Sequence, residues 1–406
     1  MSILILIFVL LITGITSVVS HPLTLLGSAA TAISFTFLGI LNPSCRIKPL
    51  YFASSVLLCI LCLLSFERNV ATTSSTMHIL ACYSSLAGLS VAVPQFSDFC
   101  RKVCVIVFGV LSCWILAQTI RAGTVASWTV SGTAAAGNLM AAQLNMILPM
   151  ILIMAFDTFG TRRNMLLVFA GVGMAAIVCV GSRNGIGSLL ITLTLITLFK
   201  HIRSAILICS TMMGTIMMSE ELMQLPFIAS VLHRFRFVGY RSEAPRSLIW
   251  SVCSEYIFAR PWLGIGPGRT ASVLAVMDIN HAHNNFVQVA IECGIPAALI
   301  AAFVFGSLLQ LPASGLLHSR RAFVLSLSVI AYLAHSMTDI PMHHPQQTLL
   351  LILCVNEARR ALLEVPETAQ STAMYRTSAF GSDVDRISGR RETPASQPAG
   401  FQMKAR

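Results

Sequence analysis

NLMAAQLNMILPMILIMAF, residues 138–156, runs for nineteen residues without a charged side chain. As a helix it covers about 30 Å, the hydrocarbon thickness of a bilayer. Working outward, apolar runs recur at 2–19, 23–41, 49–66, 76–93 and 103–120 before it. After it come 165–181, 185–199, 204–218, 284–309, 322–337 and 347–355, the last short by itself and borrowing residues from either side. The expected fold is all-α, a polytopic membrane protein with about 12 transmembrane helices. Open β-structure is excluded because lipid cannot satisfy free backbone groups, and the runs lack the alternation of barrel strands.

Composition agrees with that class. Of 406 residues, 55% are hydrophobic and 11% charged, with a mean hydropathy of +0.78, more apolar surface than a soluble core can bury. The net charge of +11 would point to nucleic acid in a soluble domain. Here the charge is spread over loops and tail, which suits membrane lipids with anionic headgroups, and no nucleic-acid partner is expected. The 12 cysteines lie almost all within apolar runs, so no disulfide framework is read. Residues 364–406 are rich in Ser, Thr, Pro, Gly and charge and are expected to be a disordered cytoplasmic tail after a membrane domain of 1–363.

Orientation follows from basic pairs. With the N-terminus inside, Arg46 and Lys48, Arg101 and Lys102, Arg162 and Arg163, Lys200 and Arg203, Arg320 and Arg321, and Arg359 and Arg360 all face the cytoplasm. The short outer connections carry only Arg68, Arg121 and Arg183. The segment 2–19 lacks a basic leader and is read as a helix rather than a signal peptide. One large outer loop, about 219–283, breaks the pattern by carrying six arginines on the side where clustered Arg is disfavoured, which points to function.

Three polar groupings stand at the outer face. Gly181-Ser182-Arg183-Asn184-Gly185 joins two spans tightly; two glycines and two hydrogen-bonding side chains around a guanidinium make an anion-binding turn, against the alternative of an interfacial Arg reaching headgroups. In the large loop, Arg236 and Arg241 precede an amphipathic helix over 242–259 that sets Arg246 and Trp250 one turn apart. That helix stops at Arg260-Pro261, and Gly264-Ile265-Gly266-Pro267-Gly268 is a turn-rich connection with no strand and no P-loop Lys, so not a nucleotide loop.

The third grouping is His281-Ala282-His283-Asn284-Asn285 at the mouth of a span. A His there suits a general base, because a helix N-terminus favours its neutral form. Two His at this spacing, with Asp278 the only nearby acid, fall short of a zinc pattern, so no metal and no cofactor are expected. His343-His344, beside Asp339, is a secondary candidate. Asp383-x-Asp385 matches a metal-binding pattern of glycosyltransferases but falls in the tail.

The Ser182-Arg183-Asn184-Gly185 turn, Arg246 before RPWLGIGPG (260–268), HAHNNFVQVAIECGIPA (281–297) and Asp339-x-Pro341 together resemble the O-antigen ligase and polymerase superfamily, over about 138–360. With one dominant outer loop, the chain is most similar to its lipopolysaccharide ligase branch. The resemblance implies a GT-C-like helical fold in the bacterial inner membrane. It implies metal-independent, inverting transfer of a glycan from undecaprenyl diphosphate to a lipid A–core acceptor in the periplasm. Arg183, Arg246 and His283 match the family's essential arginines and histidine, with His281 a competitor for the last. Arg236, Arg241, Trp250, His281, Asn284 and Asp339 are expected at the substrate. A polymerase or a protein O-oligosaccharyltransferase uses the same donor; a transporter or flippase is the non-catalytic rival, although its ionisable groups would sit nearer the midplane.

Overall fold

The computed structural model describes residues 46–69, 73–92, 97–122, 135–200 and 246–364. The expected spans 2–19, 23–41 and 204–218, the residues Arg236 and Arg241, and the tail beyond Glu364 lie outside these. In chain order the helices are α1 (Pro49–Asn69), α2 (Thr73–Ser85), α3 (Ser97–Ala122), α4 (Ala135–Phe156), α5 (Gly160–Val180) and α6 (Arg183–Lys200). There follow α7 (Arg246–Ala259), α8 (Thr270–Leu274), α9 (Asn285–Cys293), α10 (Ile295–Leu308), α11 (Gln310–His318), α12 (Arg320–Ser336) and α13 (Pro345–Leu363). A two-residue antiparallel pair, Arg46–Ile47 with Val91–Ala92, accompanies them.

Among the described residues, five helical stretches are long and apolar enough to cross a membrane: Pro49–Asn69, Arg101–Arg121, Gly137–Phe156, Gly160–Val180 and Ile295–His318. The apolar part of α6 is shorter. The stretch 138–156, within α4, is the central post. The spanning window of α4 is 89% buried, against 33% for α1 and α5, so α4 is surrounded by helices rather than by lipid. Pro149 removes one N–H from its ladder. At the same turn the Met146 carbonyl accepts the Ser328 hydroxyl of α12 (2.7 Å) and the Cys354 thiol of α13 (3.5 Å).

Three expected spans come out differently. Residues 76–93 are not one helix: α2 stops at Ser85 and a 3-10 turn, Leu86–Ser90, follows. The run 284–309 is split at Gly294, whose φ of +90° and following Pro296 cannot continue a helix, so α9 is a short separate element. The short run 347–355 is extended on both sides into the 19-residue α13.

Basic residues gather at one end of the bundle. There Arg101 pairs with Glu357 (3.5 Å), Arg321 with Asp157 (3.6 Å), Arg359 donates to the Leu89 carbonyl (2.5 Å), and the Lys48 N–H donates to the Ser90 carbonyl (2.7 Å). The opposite end collects the end of α1, the start of α4, the α5–α6 junction, α9 and the end of α12. Every polar grouping read from the described part of the sequence is at this second end.

Candidate active site

At the α5–α6 junction Gly181 closes α5 in the left-handed region, its N–H donating to the Val178 carbonyl. Ser182 caps α6: its hydroxyl accepts from the Gly185 N–H (3.0 Å) and donates to Asn138 Oδ1 at the start of α4 (2.7 Å). The glycine N–H groups are therefore spent internally, which corrects the expectation that they are offered to an anion. Gly185 is there for contact, since a Cβ would lie 2.6 Å from the Ala141 Cβ. What the junction presents outward is Arg183, exposed in the first turn of α6. The neighbouring Asn184 amide donates to the Thr338 carbonyl (3.2 Å), tying this junction to the loop that carries Asp339.

The segment 260–269 is a wedge between α1 and α9. Ile265 N–H donates to the Ile291 carbonyl (2.8 Å) and Gly266 N–H to that of Glu292 (3.1 Å). Asn69, at the end of α1, accepts Arg260 on its side chain (2.6 Å) and Arg269 on its carbonyl (2.9 Å). A Cβ on Gly264, at φ +64°, would sit 2.5 Å from the Ile291 carbonyl oxygen. The glycines permit close backbone approach, and the two arginines are structural.

This wedge carries α7, whose buried face is Ile249 and Cys253, against Ile291 and Ala282. Arg246 opens α7. Trp250, one turn on, donates its indole N–H to the Ala282 carbonyl (2.9 Å), while the Ala282 N–H donates to Gln288 Oε1 (2.8 Å). Gln288 in turn donates to Glu292 Oε1 (2.7 Å), which also accepts the Thr270 hydroxyl (2.9 Å). The Ala282 peptide is thus gripped from both sides, and His283 follows it at φ +52°, a left-handed backbone that costs an L-residue about 1–2 kcal/mol.

Asn284 caps α9, accepting from Phe286 N (2.9 Å) and Val287 N (3.2 Å), and donates to the Met337 carbonyl (3.1 Å). Asn285 links to the Ser336 hydroxyl (2.8 Å). The polar atoms of Trp250 and Asn284 are committed to backbone, so what they do in this structure is hold the histidine turn.

The His281 and His283 rings meet edge to face at 4.0 Å between centroids. His281 Nδ1 accepts the His283 N–H (3.3 Å), which leaves its proton on Nε2. Burial, then His343 and Arg246, depress the His281 pKa to about 4, so the ring is neutral at pH 7. Burial, His78, His343 and His281 likewise lower His344 to about 3. His343 is buried, with Nε2 3.6 Å from Glu292 Oε2, and faces inward rather than toward the turn's mouth.

The acid beside the histidines is Asp339. Asp278, the only acid near them in sequence, is exposed at a turn. Asp339 is 4% exposed; its carboxylate accepts the Ile340 N–H (2.9 Å) and a hydrogen bond from Asn138. Burial raises its pKa, opposed by that N–H, His283, Asn138 and Arg246. Ligand atoms of His281, His283 and Asp339 lie within 4.8 Å of one another, a set able to reach one cation.

Folding therefore brings Arg246, His281, His283 and Asp339 into one cluster. Arg183 stands on the adjoining junction, linked through Ser182, Asn138 and Asn184. Sequence reasoning does not single out Asn138; its only signal is an amide in the first turn of an apolar run. Gln288 and Glu292 carry a better one, the i, i+4 spacing of a polar pair on one helix face. Compared with known proteins, the chain matches no protein family and no curated protein.

Proposed function

We propose that the chain is a bacterial inner-membrane glycosyltransferase of the O-antigen ligase type, with about 12 spans in a GT-C-like arrangement. It moves a glycan from undecaprenyl diphosphate to a lipid A–core hydroxyl at the periplasmic face. The observation that carries the reading is the meeting of Arg246, the His281–His283 pair and Asp339 at the bundle end opposite the clustered basic residues. Two cations and a neutral imidazole suit a donor that brings its own negative charge.

In the proposed reaction the acceptor hydroxyl attacks the anomeric carbon opposite the diphosphate. The new C–O bond forms as the old one breaks, inverting the centre. Negative charge collects on the departing phosphate oxygens, where Arg246 and Arg183 stabilise it, each at about 2–4 kcal/mol in a water-poor site. His283 takes the hydroxyl proton, worth roughly 10²–10⁴-fold. Asp339 beside it favours the imidazolium that forms. A polymerase or protein O-oligosaccharyltransferase shares all these steps and differs in acceptor; a non-catalytic transporter or flippase shares none.

The His281–His283–Asp339 cluster favours one other reading, a metal-assisted transfer, because two His and a carboxylate are a known zinc donor set. Arg246, close enough to act electrostatically on His281 and Asp339, weighs against a dication there. Reconstitution with a lipid-diphosphate glycan and lipid A–core tests both. The expected product is glycan on the core, formed equally with and without EDTA. Loss of transfer in EDTA selects the metal reading; no transfer to any acceptor refutes the enzyme.

A further inference from the structure

At the bundle end away from His283, α1 and α10 part to leave two adjoining cavities, about 410 and 380 Å³, that share Leu50 and Phe303. Both helices belong to stretches able to cross a membrane, and Leu50, Leu57, Leu299 and Phe303 are 45–65% exposed along the seam, so its open side faces hydrocarbon. With Ser54 alone in the smaller cavity, polar side chains gather at one end. There the wall is made by Lys48, Gln310 and Tyr51, whose phenol oxygen accepts the Ser307 hydroxyl (3.0 Å). Behind Tyr51 a second cation is fixed: the Arg359 guanidinium lies 5.3 Å from the ring centroid and is anchored on the Leu89 carbonyl.

We propose that this seam binds one anionic phospholipid of the surrounding bilayer, its phosphate at Lys48 and Gln310 and one acyl chain laid along Leu50, Phe303 and Leu57. An apolar trough ending at Lys48, with the buried Arg359 behind Tyr51 adding positive potential, matches the build of such a lipid and disfavours the cationic group of a zwitterionic headgroup. The open side leaves the second acyl chain in the bilayer, which a soluble metabolite could not use. The inference does not rest on glycan transfer, and it holds whichever leaflet this end occupies.

Phe303→Trp provides a reporter in the full chain, read as the difference in fluorescence from the parent protein in neutral detergent. Phosphatidylglycerol brominated on its acyl chain is expected to quench the new indole saturably, at about fivefold lower concentration than brominated phosphatidylcholine. Lys48→Gln and Lys48→Glu are expected to remove that preference while the protein stays monodisperse. Equal quenching by the two lipids means an unselective lipid-facing groove and overturns the proposal. So does a preference that survives both Lys48 variants, or no quenching at all.

Discussion

The backbone does much to place His283. Its left-handed φ is held by the grip of Trp250 and Gln288 on the preceding peptide. Gln288→Leu leaves a buried N–H and half of the Glu292 pairing unmet, at about 1–3 kcal/mol each, so the turn should relax. The expected result is a fall in turnover of about tenfold or more with donor KM little changed. His283→Ala should cost roughly 10²–10⁴ in turnover, with His281→Ala milder. His283→Gly should lose activity equally yet keep or raise the melting temperature in detergent, because glycine accepts this φ without strain. A melting temperature that drops with His283→Gly would show the ring to be structural. For the cations, Arg246→Ala and Arg183→Ala should each lower transfer by about 10²-fold or more, with partial recovery in the Lys variants and no effect of Arg376→Ala in the tail.

The break between α9 and α10 is what lets a span end and a site begin. Gly294 could not carry a Cβ, which would sit 2.2 Å from the Trp262 carbonyl oxygen, and Gly264 faces the Ile291 carbonyl in the same way. Both are backbone collisions that no side-chain shift relieves, at positive φ where Ala is strained as well. Gly264→Ala and Gly294→Ala should therefore unseat the 260–269 wedge and with it α7 and Arg246. Both are expected to lower the melting temperature in detergent and abolish transfer. By contrast Gly187→Ala, which would meet nothing within 4 Å, should be silent in both measurements.

Across the molecule, the two bundle ends differ in chemistry, and each makes a separate test. Cysteine labelling in a cysteine-free background is expected to reach Ser242→Cys from the periplasm and Ser371→Cys only from the cytoplasm; the reverse pattern inverts the topology. The site end should also be acid-sensitive. His281 has a folded pKa of about 4 against an ordinary 6.5, so the unfolded form takes up its proton first, and stability is lost as pH falls from 6.5 toward 4. His344, lowered to about 3, acts in the same direction. Asp339 acts oppositely: its raised pKa adds stability at low pH that is lost as pH rises. Melting temperature against pH for the parent and His281→Gln should diverge below about 6.5, the variant being flatter; identical curves would place the ring in water.

Sequence alone determined that α1, α3, α4 and α5 are long apolar helices, because a bilayer-length run without charge has no other way to satisfy its backbone. It also determined the end of α7 before Arg260-Pro261 and the residue types of the site, since caps, proline stops and i, i+4 spacings are local. Tertiary structure decided which acid meets the histidines, choosing Asp339 over the sequence neighbour Asp278. It decided that the glycines near 181 and 264 serve close packing, that Trp250 and Asn284 hold the turn, and that 284–309 is two helices. Each of these depends on where one backbone passes another, at distances of a few ångströms between segments far apart in the chain, and no periodicity within one segment encodes that.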